Sequence, residues 1–464
     1  MPSTDWTWTH ARHLLNRAGF GGRRDEITAL YRLGLDGAVN SLLGPTDRRL
    51  PQPDWLTEDE ADHRQLSKDE RKEKRKLNGQ RLRTLIGDWI MLMIETPTPA
   101  DMLRARMTFF WHGHFATSIQ KVKAPRAILA QLQLFDAMAV GSYGKLLHAI
   151  VRDPAMLIYL DNTRNRRGKP NENLARELME LFSLGPGNYS ESDIRDGARA
   201  LTGWGIGPQG FRLAAQRHDS DKKTILGQTG RFDADDFVEI ILQQPACAAF
   251  MIRKLWQYFA GADPTPEVLG ALAAGFRASD YDVRRAVRDI LRHPAFYSDT
   301  VRGNQIKSPV QLVVGTARTL RVQVNTPKIY QRMLALMGQT PYQPPNVKGW
   351  PGGRGWIDTT RLVTRYTFAE MIANGEIPGD VDDPQMRRRQ RGLQFDPHLL
   401  VSDLVAPEEI IAELTNQLLA VPPTDGEHRL LTESLREDLA HLTAPASVQQ
   451  AVGNLMRLPQ YQLC

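Results

Sequence analysis

Apolar residues recur along this chain with the period of an α-helix. Leu85, Ile86, Trp89, Ile90 and Met93 fall at i, i+1, i+4, i+5 and i+8, a stripe that ends at Thr96-Pro97-Thr98-Pro99. Met102, Leu103, Met107 and Phe110 mark the next helix, with Asp101 as a plausible cap. Its end or break is expected at Gly113. Pro170-Asn171 opens a further helix, predicted from Asn171 to about Leu184, which places Leu174, Leu178, Leu181 and Phe182 on one face. Gly185-Pro186-Gly187 stops it. Ser190 to Asp193 resembles a capping box with Asp in place of Glu, and Ile194, Ala198 and Leu201 follow as a stripe before Gly203. Runs of strand-like alternation are few and short. The pattern predicts a mainly α protein, a large multi-helix domain with long irregular loops and a smaller helical C-terminal part.

A short motif of two apolar residues, two mostly polar ones and a proline recurs at Ile150–Pro154, Ile241–Pro245, Ile290–Pro294 and Leu455–Pro459. Proline disfavours helix in the residue before it and suits the first position of the next helix. The four copies therefore predict helix–corner–helix joints. Their irregular separation argues against a solenoid.

These patterns divide the chain into a main helical domain over 1–378, with a charged helical insertion near 57–81, and a C-terminal helical part over 396–464 that packs back on it. Between them, 379–395 reads as a flexible charged linker or loop, with Gly379 to Pro384 turn-rich and acidic and Arg387-Arg388-Arg389-Gln390-Arg391 basic. The net charge of +6 arises from 59 basic and 53 acidic residues among 464, a mild excess that permits an acidic partner without demanding one. No aromatic residue interleaves this basic run or Arg71-Lys72-Glu73-Lys74-Arg75-Lys76, so nucleic acid is an unlikely partner. No window approaches 18 consecutive apolar residues, which excludes a helical membrane span. Met1 to Trp6 lacks a basic n-region and an apolar h-region, so the expectation is cytoplasmic as the sequence stands, and exported if a signal was removed before this numbering. Two cysteines, Cys247 and Cys464, exclude a disulfide framework and a Cys-rich zinc site.

Four segments carry candidate chemistry. In Phe109-Phe110-Trp111-His112-Gly113-His114-Phe115, aromatic bulk flanks two histidines. On a continuous helix i and i+2 lie about 200° apart, so both imidazoles address one metal only if Gly113 breaks the helix. The alternative is a pair of buried, hydrogen-bonded histidines. In Asn171 to Phe182, Glu172, Arg176 and Glu180 form an ion-pair ladder at i, i+4 and i+8, while Glu177 and Glu180 at i, i+3 are placed to share a cation. His218-Asp219 sits in a polar loop and suits an imidazole oriented by the Asp, a metal contact or, as a lone loop, a simply solvated turn. Trp350 and Trp356, in a Pro/Gly-rich loop, suit either a stacking platform for a carbohydrate-like or other small ligand or a plug onto the core. A Gly-x-Ser-x-Gly elbow, a His-Glu-x-x-His helix, a Walker loop and a dinucleotide fingerprint are all missing.

The chain resembles the bacterial domain-of-unknown-function family numbered 1800. The resemblance rests on His13-Leu14-Leu15-Asn16-Arg17-Ala18-Gly19-Phe20-Gly21, Phe110 to Phe115, Arg152-Asp153-Pro154-Ala155-Met156 with Leu160-Asp161, and Asn171-Glu172-Asn173 with Ala175 to Leu178. It continues through Ala198 to Trp204, His218-Asp219, Lys307-Ser308-Pro309, Met337-Gly338-Gln339, Gly349-Trp350 and the concluding Leu458 to Gln462. The resemblance implies that the four constellations belong to one protein's pattern, and it carries no established reaction. Many relatives look exported. Two readings follow from the residues. In the first, a hydrolytic and metal-assisted enzyme acts on a polar or anionic substrate, with His112, His114, Glu177 and Glu180 as ligands of a divalent metal, His114, Glu177, His218 and Asp219 as acid–base groups, and Arg176 holding negative charge. In the second, the same groups form a buried structural network of a helical binding or assembly protein, with ligand contact at Trp350.

Overall fold

The computed structural model describes residues 6–48, 50, 52–58, 66–207, 210–324, 327–375, 393–401 and 404–464. The protein is mainly α, as the helical period predicts. Strands among these residues are three short antiparallel pairs: Trp204–Gly207 with Gly210–Leu213, Lys223–Ile225 with Gln228–Gly230, and Gln323–Val324 with Leu393–Gln394. Residues 379–392, most of the expected linker and all of its Arg run, lie outside the described residues.

The charged stretch and the first apolar stripe are two halves of one helix, Lys68–Ile94. Ser67 and Glu70 close a capping box at its start. Its first half is largely exposed, whereas Leu82, Leu85, Ile86, Trp89, Ile90 and Met93 are buried. The helix Pro99–His114 follows, with Thr98 and Asp101 as a reciprocal cap and Pro99 at the first turn. It is buried nearly all round because it stands between two apolar cores. Met102, Leu103, Met107, Phe110 and Trp111 enter one core, which is otherwise built from residues up to Val301. Ala105 and Phe109 enter the second, where helices Pro309–Thr319, Lys328–Met337 and Thr359–Asn374 meet the C-terminal helices Pro407–Leu418, Asp425–His441 and Ala444–Arg457.

The proline corners are of two kinds. Pro154 and Pro245 start α-helices, while Pro294 and Pro459 start single 3-10 turns of four residues. At Asp153 the cap is a buried carboxylate that accepts hydrogen bonds from the Met156 amide (2.7 Å) and Gln131 Nε2 (2.6 Å). The helix predicted from Asn171 begins at Asn173 and changes winding: Asn173–Glu177 is α and Leu178–Ser183 is π. The Leu184 amide donates to the Met179 carbonyl (2.8 Å), five residues back, and Ser183 Oγ donates to the Leu178 carbonyl. This widened turn alters the buried face. Leu174, Leu178, Met179 and Phe182 are buried, and Leu181, expected among them, is left half-buried.

Candidate functional site

The helix Pro99–His114 runs without a break through Gly113, and Phe115 is its C-cap. The end expected at Gly113 falls one residue later, at His114, whereas a break between the two histidines is corrected, and with it the shared metal. His112 and His114 leave a continuous helix in different directions and are held by different partners. The Tyr342 amide donates to His112 Nε2 (3.0 Å), inside a box made by Trp89, Tyr342 and Trp350 with ring centroids 5.1–5.6 Å from the imidazole. Burial pushes the His112 pKa down to about 3. His112 thus fastens the loop after Met337 to the central helix as a neutral acceptor.

His114 is arranged differently. Its Nε2 donates to the carbonyl of Phe182 (2.9 Å), which also accepts from Tyr143 OH (2.6 Å). That carbonyl lies in the π segment. A ring nitrogen that donates to a carbonyl carries the proton, so the Nδ1 of the neutral ring is the lone-pair side. Nδ1 is buried and has no hydrogen-bond partner among the described residues. Burial, and then the charge of Lys254, hold the His114 pKa well below that of an ordinary imidazole.

The carboxylates of the second constellation are engaged elsewhere. Arg176, half-exposed, pairs with Glu191 (2.9 Å) and with Glu172 (3.2 Å), and the Glu191 hydrogen bond is the main reason its pKa is raised. These surface ion pairs engage the guanidinium expected to hold a substrate's negative charge. Glu180 accepts from Tyr189 OH (2.8 Å). Glu177 is raised above the usual carboxylate range by burial and then by Glu180, against the opposing charges of Lys348 and Arg176. Among the described residues, no three His, Cys, Asp or Glu side chains are grouped as a metal ion would need, so His112, His114, Glu177 and Glu180 are not a common donor set.

His218 and Asp219 do not face each other. Asp219 accepts from Arg199 Nε (2.8 Å) and Nη2 (3.3 Å), while His218 Nδ1 bonds the Thr202 carbonyl (2.9 Å). Arg199 also holds Asp196 (2.9 Å), so this loop is tied to the helix Glu191–Ala200 as a structural clasp. The His13–Gly21 motif is likewise a joint. His13 Nε2 bonds the Phe296 carbonyl (3.0 Å), and buried Arg17 donates to Phe259 O (3.1 Å), Val301 O (2.7 Å) and Asn304 Oδ1 (2.7 Å).

The structure instead gathers His114, Trp350 and Trp356 around a cavity of about 230 Å³ together with three cations, Arg106, Lys254 and Lys348. Gln305, Ser308, Gln311 and Gln339 supply neutral polar groups, and among the described residues no carboxylate side chain lines it. Among the described residues none of the three cations forms an ion pair with a carboxylate. Arg106 is buried between the rings of Tyr258 (4.3 Å from its guanidinium carbon) and Phe20 (5.4 Å), and its Nε donates to the Arg17 carbonyl (3.3 Å). Burial lowers the pKa of Lys254, which lies over the Phe250 ring (5.1 Å). Trp350 is both plug and wall. It stacks on Phe109 (5.5 Å, 16°) and lines the cavity.

The sequence reading missed Arg106 and Lys254. Arg106, Phe110 and His114 stand at i, i+4 and i+8 on one helix, a stripe that contains the signal for the first. Lys254 carries no such signal, because it reaches the cavity from a helix, Pro245–Ala260, that is remote in sequence.

The Trp350 loop is held by a close backbone approach. Gly349 has φ +80°, and a Cβ there would lie 2.5 Å from the Gly113 carbonyl oxygen. Gly349→Ala is expected to cost about 2–3 kcal/mol from left-handed backbone strain and this overlap. A Cβ on Gly113 meets only the Trp350 ring, at 4.0 Å, so Gly113→Ala should stabilise by up to about 1 kcal/mol through helix propensity. Denaturant melts of the two variants check this, and equal effects would refute it.

No curated protein and no solved structure matches the chain. The sequence model of one family does, over residues 13–463, which takes in both cores, the central helix and every wall of the cavity. The chain belongs to that family, described as "Protein of unknown function (DUF1800)".

Proposed function

We propose that the cavity binds a small anionic substrate bearing a flat or ring-shaped part, and that the protein acts on it as a hydrolytic enzyme with His114 as the acid–base group. The observation that carries this reading is the meeting of Arg106, Lys254 and Lys348, with no carboxylate among the described lining side chains, beside a histidine whose Nδ1 has no hydrogen-bond partner among the described residues. Cations that form no direct ion pair with a carboxylate among the described residues, with Glu177 acting on Lys348 only at longer range, favour a ligand that brings the negative charge. The Trp350 and Trp356 rings offer it an apolar wall. The Phe182 carbonyl fixes the His114 tautomer so that Nδ1 is the side left to accept a hydrogen bond from the substrate or its attacking water, and the cations oppose the charge that then develops on the substrate. A purely structural network draws support from His112, whose contacts are all internal.

Calorimetric titration with inorganic phosphate, pyrophosphate, a dicarboxylate and a sugar phosphate tests the binding. At least one is expected to bind, with affinity falling about 10- to 100-fold in Arg106→Met through loss of a charge-assisted contact. Because Arg106 is buried, Lys348→Ala on the exposed loop provides a second variant, expected to weaken binding several-fold without loss of folding. Equal affinity of both variants and the parent protein would refute the assignment. Hydrolysis of a chromogenic phosphate or carboxylate ester that is lost in His114→Gln tests the catalytic part.

A further inference from the structure

We infer that Lys254 is an imine-forming amine, directed at the carbonyl carbon of a substrate that also carries an anionic group. The inference rests on the cavity reading for the anion and goes beyond hydrolysis. Three features of Lys254 set it apart from the other two cations. It is a primary amine, which the guanidinium of Arg106 is not. It is largely withdrawn from water against the Phe250 ring, whereas Lys348 stands on an exposed loop. It has no carboxylate partner among the described residues and faces a cavity whose other charged side chains are also cationic. An ammonium so placed gives up its proton more readily than a solvated one, by desolvation. Burial is indeed what moves its pKa downward.

The chemistry balances within the site. The neutral Lys254 nitrogen attacks the carbonyl carbon, an N–C bond forms, and the carbonyl π pair moves to oxygen. Transfer of the nitrogen proton to that oxygen gives a carbinolamine. Loss of the hydroxyl as water, after protonation, leaves the C=N bond. The proton that leaves nitrogen is the one that oxygen gains, and solvent in the cavity supplies and takes back the one that carries the hydroxyl off as water. No oxidant or reductant is required. Arg106 and Lys348 remain to hold the anionic group.

Pyridoxal phosphate is a suitable probe, since it joins an aldehyde to a phosphate on a flat ring. The full chain is incubated with a limiting amount, reduced with borohydride and mapped by mass spectrometry. The expected result is one dominant pyridoxyl adduct, on Lys254, absent from Lys254→Arg, whose melting temperature serves as the control for folding. Labels distributed over exposed lysines such as Lys121 and Lys348, or an adduct that persists undiminished in Lys254→Arg, would overturn the inference. Inorganic phosphate as competitor separates the two proposals. Protection of Lys254 supports both. Labelling of Lys254 that phosphate leaves unchanged upholds the amine and counts against the anion site, whereas phosphate binding by calorimetry without a Lys254 adduct overturns the amine alone.

Discussion

Acidification below about pH 6.5 is expected to destabilise the fold by about 1.4 kcal/mol per pH unit for each buried histidine that stays neutral. His13, His112 and His114 are all buried as neutral rings, with folded-state pKa values below the 6.5 of a free imidazole. Burial is the leading cause in each. The charge of Arg17 adds to it at His13, and that of Lys254 at His114. Below pH 6.5 the unfolded chain therefore binds protons that the folded one refuses, and stability falls as pH falls. Each histidine contributes about 1.4 kcal/mol per pH unit until its folded value is reached, about 3 for His112. Asp153 works in the opposite sense. Burial raises its carboxyl from 3.8 to about 7, so across that window the folded chain holds the extra proton and one histidine's loss is offset. Urea unfolding near pH 7 and near pH 5 measures the difference. In His112→Gln, where an amide oxygen can still accept from the Tyr342 amide, the slope should flatten by about 1.4 kcal/mol per pH unit. An unchanged slope would remove His112 from the account.

Leu178→Ala should cost about 2–5 kcal/mol. Leu178 is fully buried at the first position of the π segment, packed in the core that also takes Leu174, Met179 and Phe182. Truncation leaves a cavity beneath the turn that presents the Phe182 carbonyl to His114 and Tyr143. Leu181→Ala, on the half-buried side of the same segment, should cost less than half as much. If denaturant melts showed a loss below about 1 kcal/mol for Leu178, or a larger loss for Leu181, the buried face would be misassigned.

The contrast between these two leucines shows where the sequence is readable. Apolar spacing placed the helices at 85–93, 102–110 and 174–182, because burying one stripe of a helix is a local requirement. It could not show that winding changes at Leu178, since an i→i+5 turn depends on which carbonyls tertiary neighbours engage. Gly113 stands one residue before the helix end expected there, but it does not break the helix between the two histidines. The helix continues because burial between two cores outweighs the propensity cost of one glycine. The candidate site was half legible. His114, Trp350 and Trp356 were singled out by residue type and all line the cavity. Arg176, Glu177, Glu180, His218 and Asp219 had the right chemistry, but ion pairs with Glu191 and Arg199 and a hydrogen bond from Tyr189 engage Arg176, Asp219 and Glu180, and pairing of this kind is invisible without the fold. Lys254 and Lys348 meet Arg106 only through packing.

The walls of the cavity come from the stretches 106–114, 254–258, 305–311 and 339–356. No single helix, hairpin or half of the chain contains the set. The chain must therefore close several long loops before the cavity exists, which makes it a late product of folding and one of high contact order. An anion that occupies it cannot stabilise a partly folded fragment. Its binding energy should appear wholly as resistance to global unfolding, rising with ligand concentration by mass action. A proteolytic nick or a split of the chain anywhere between residues 114 and 339 would separate walls that have no other covalent connection.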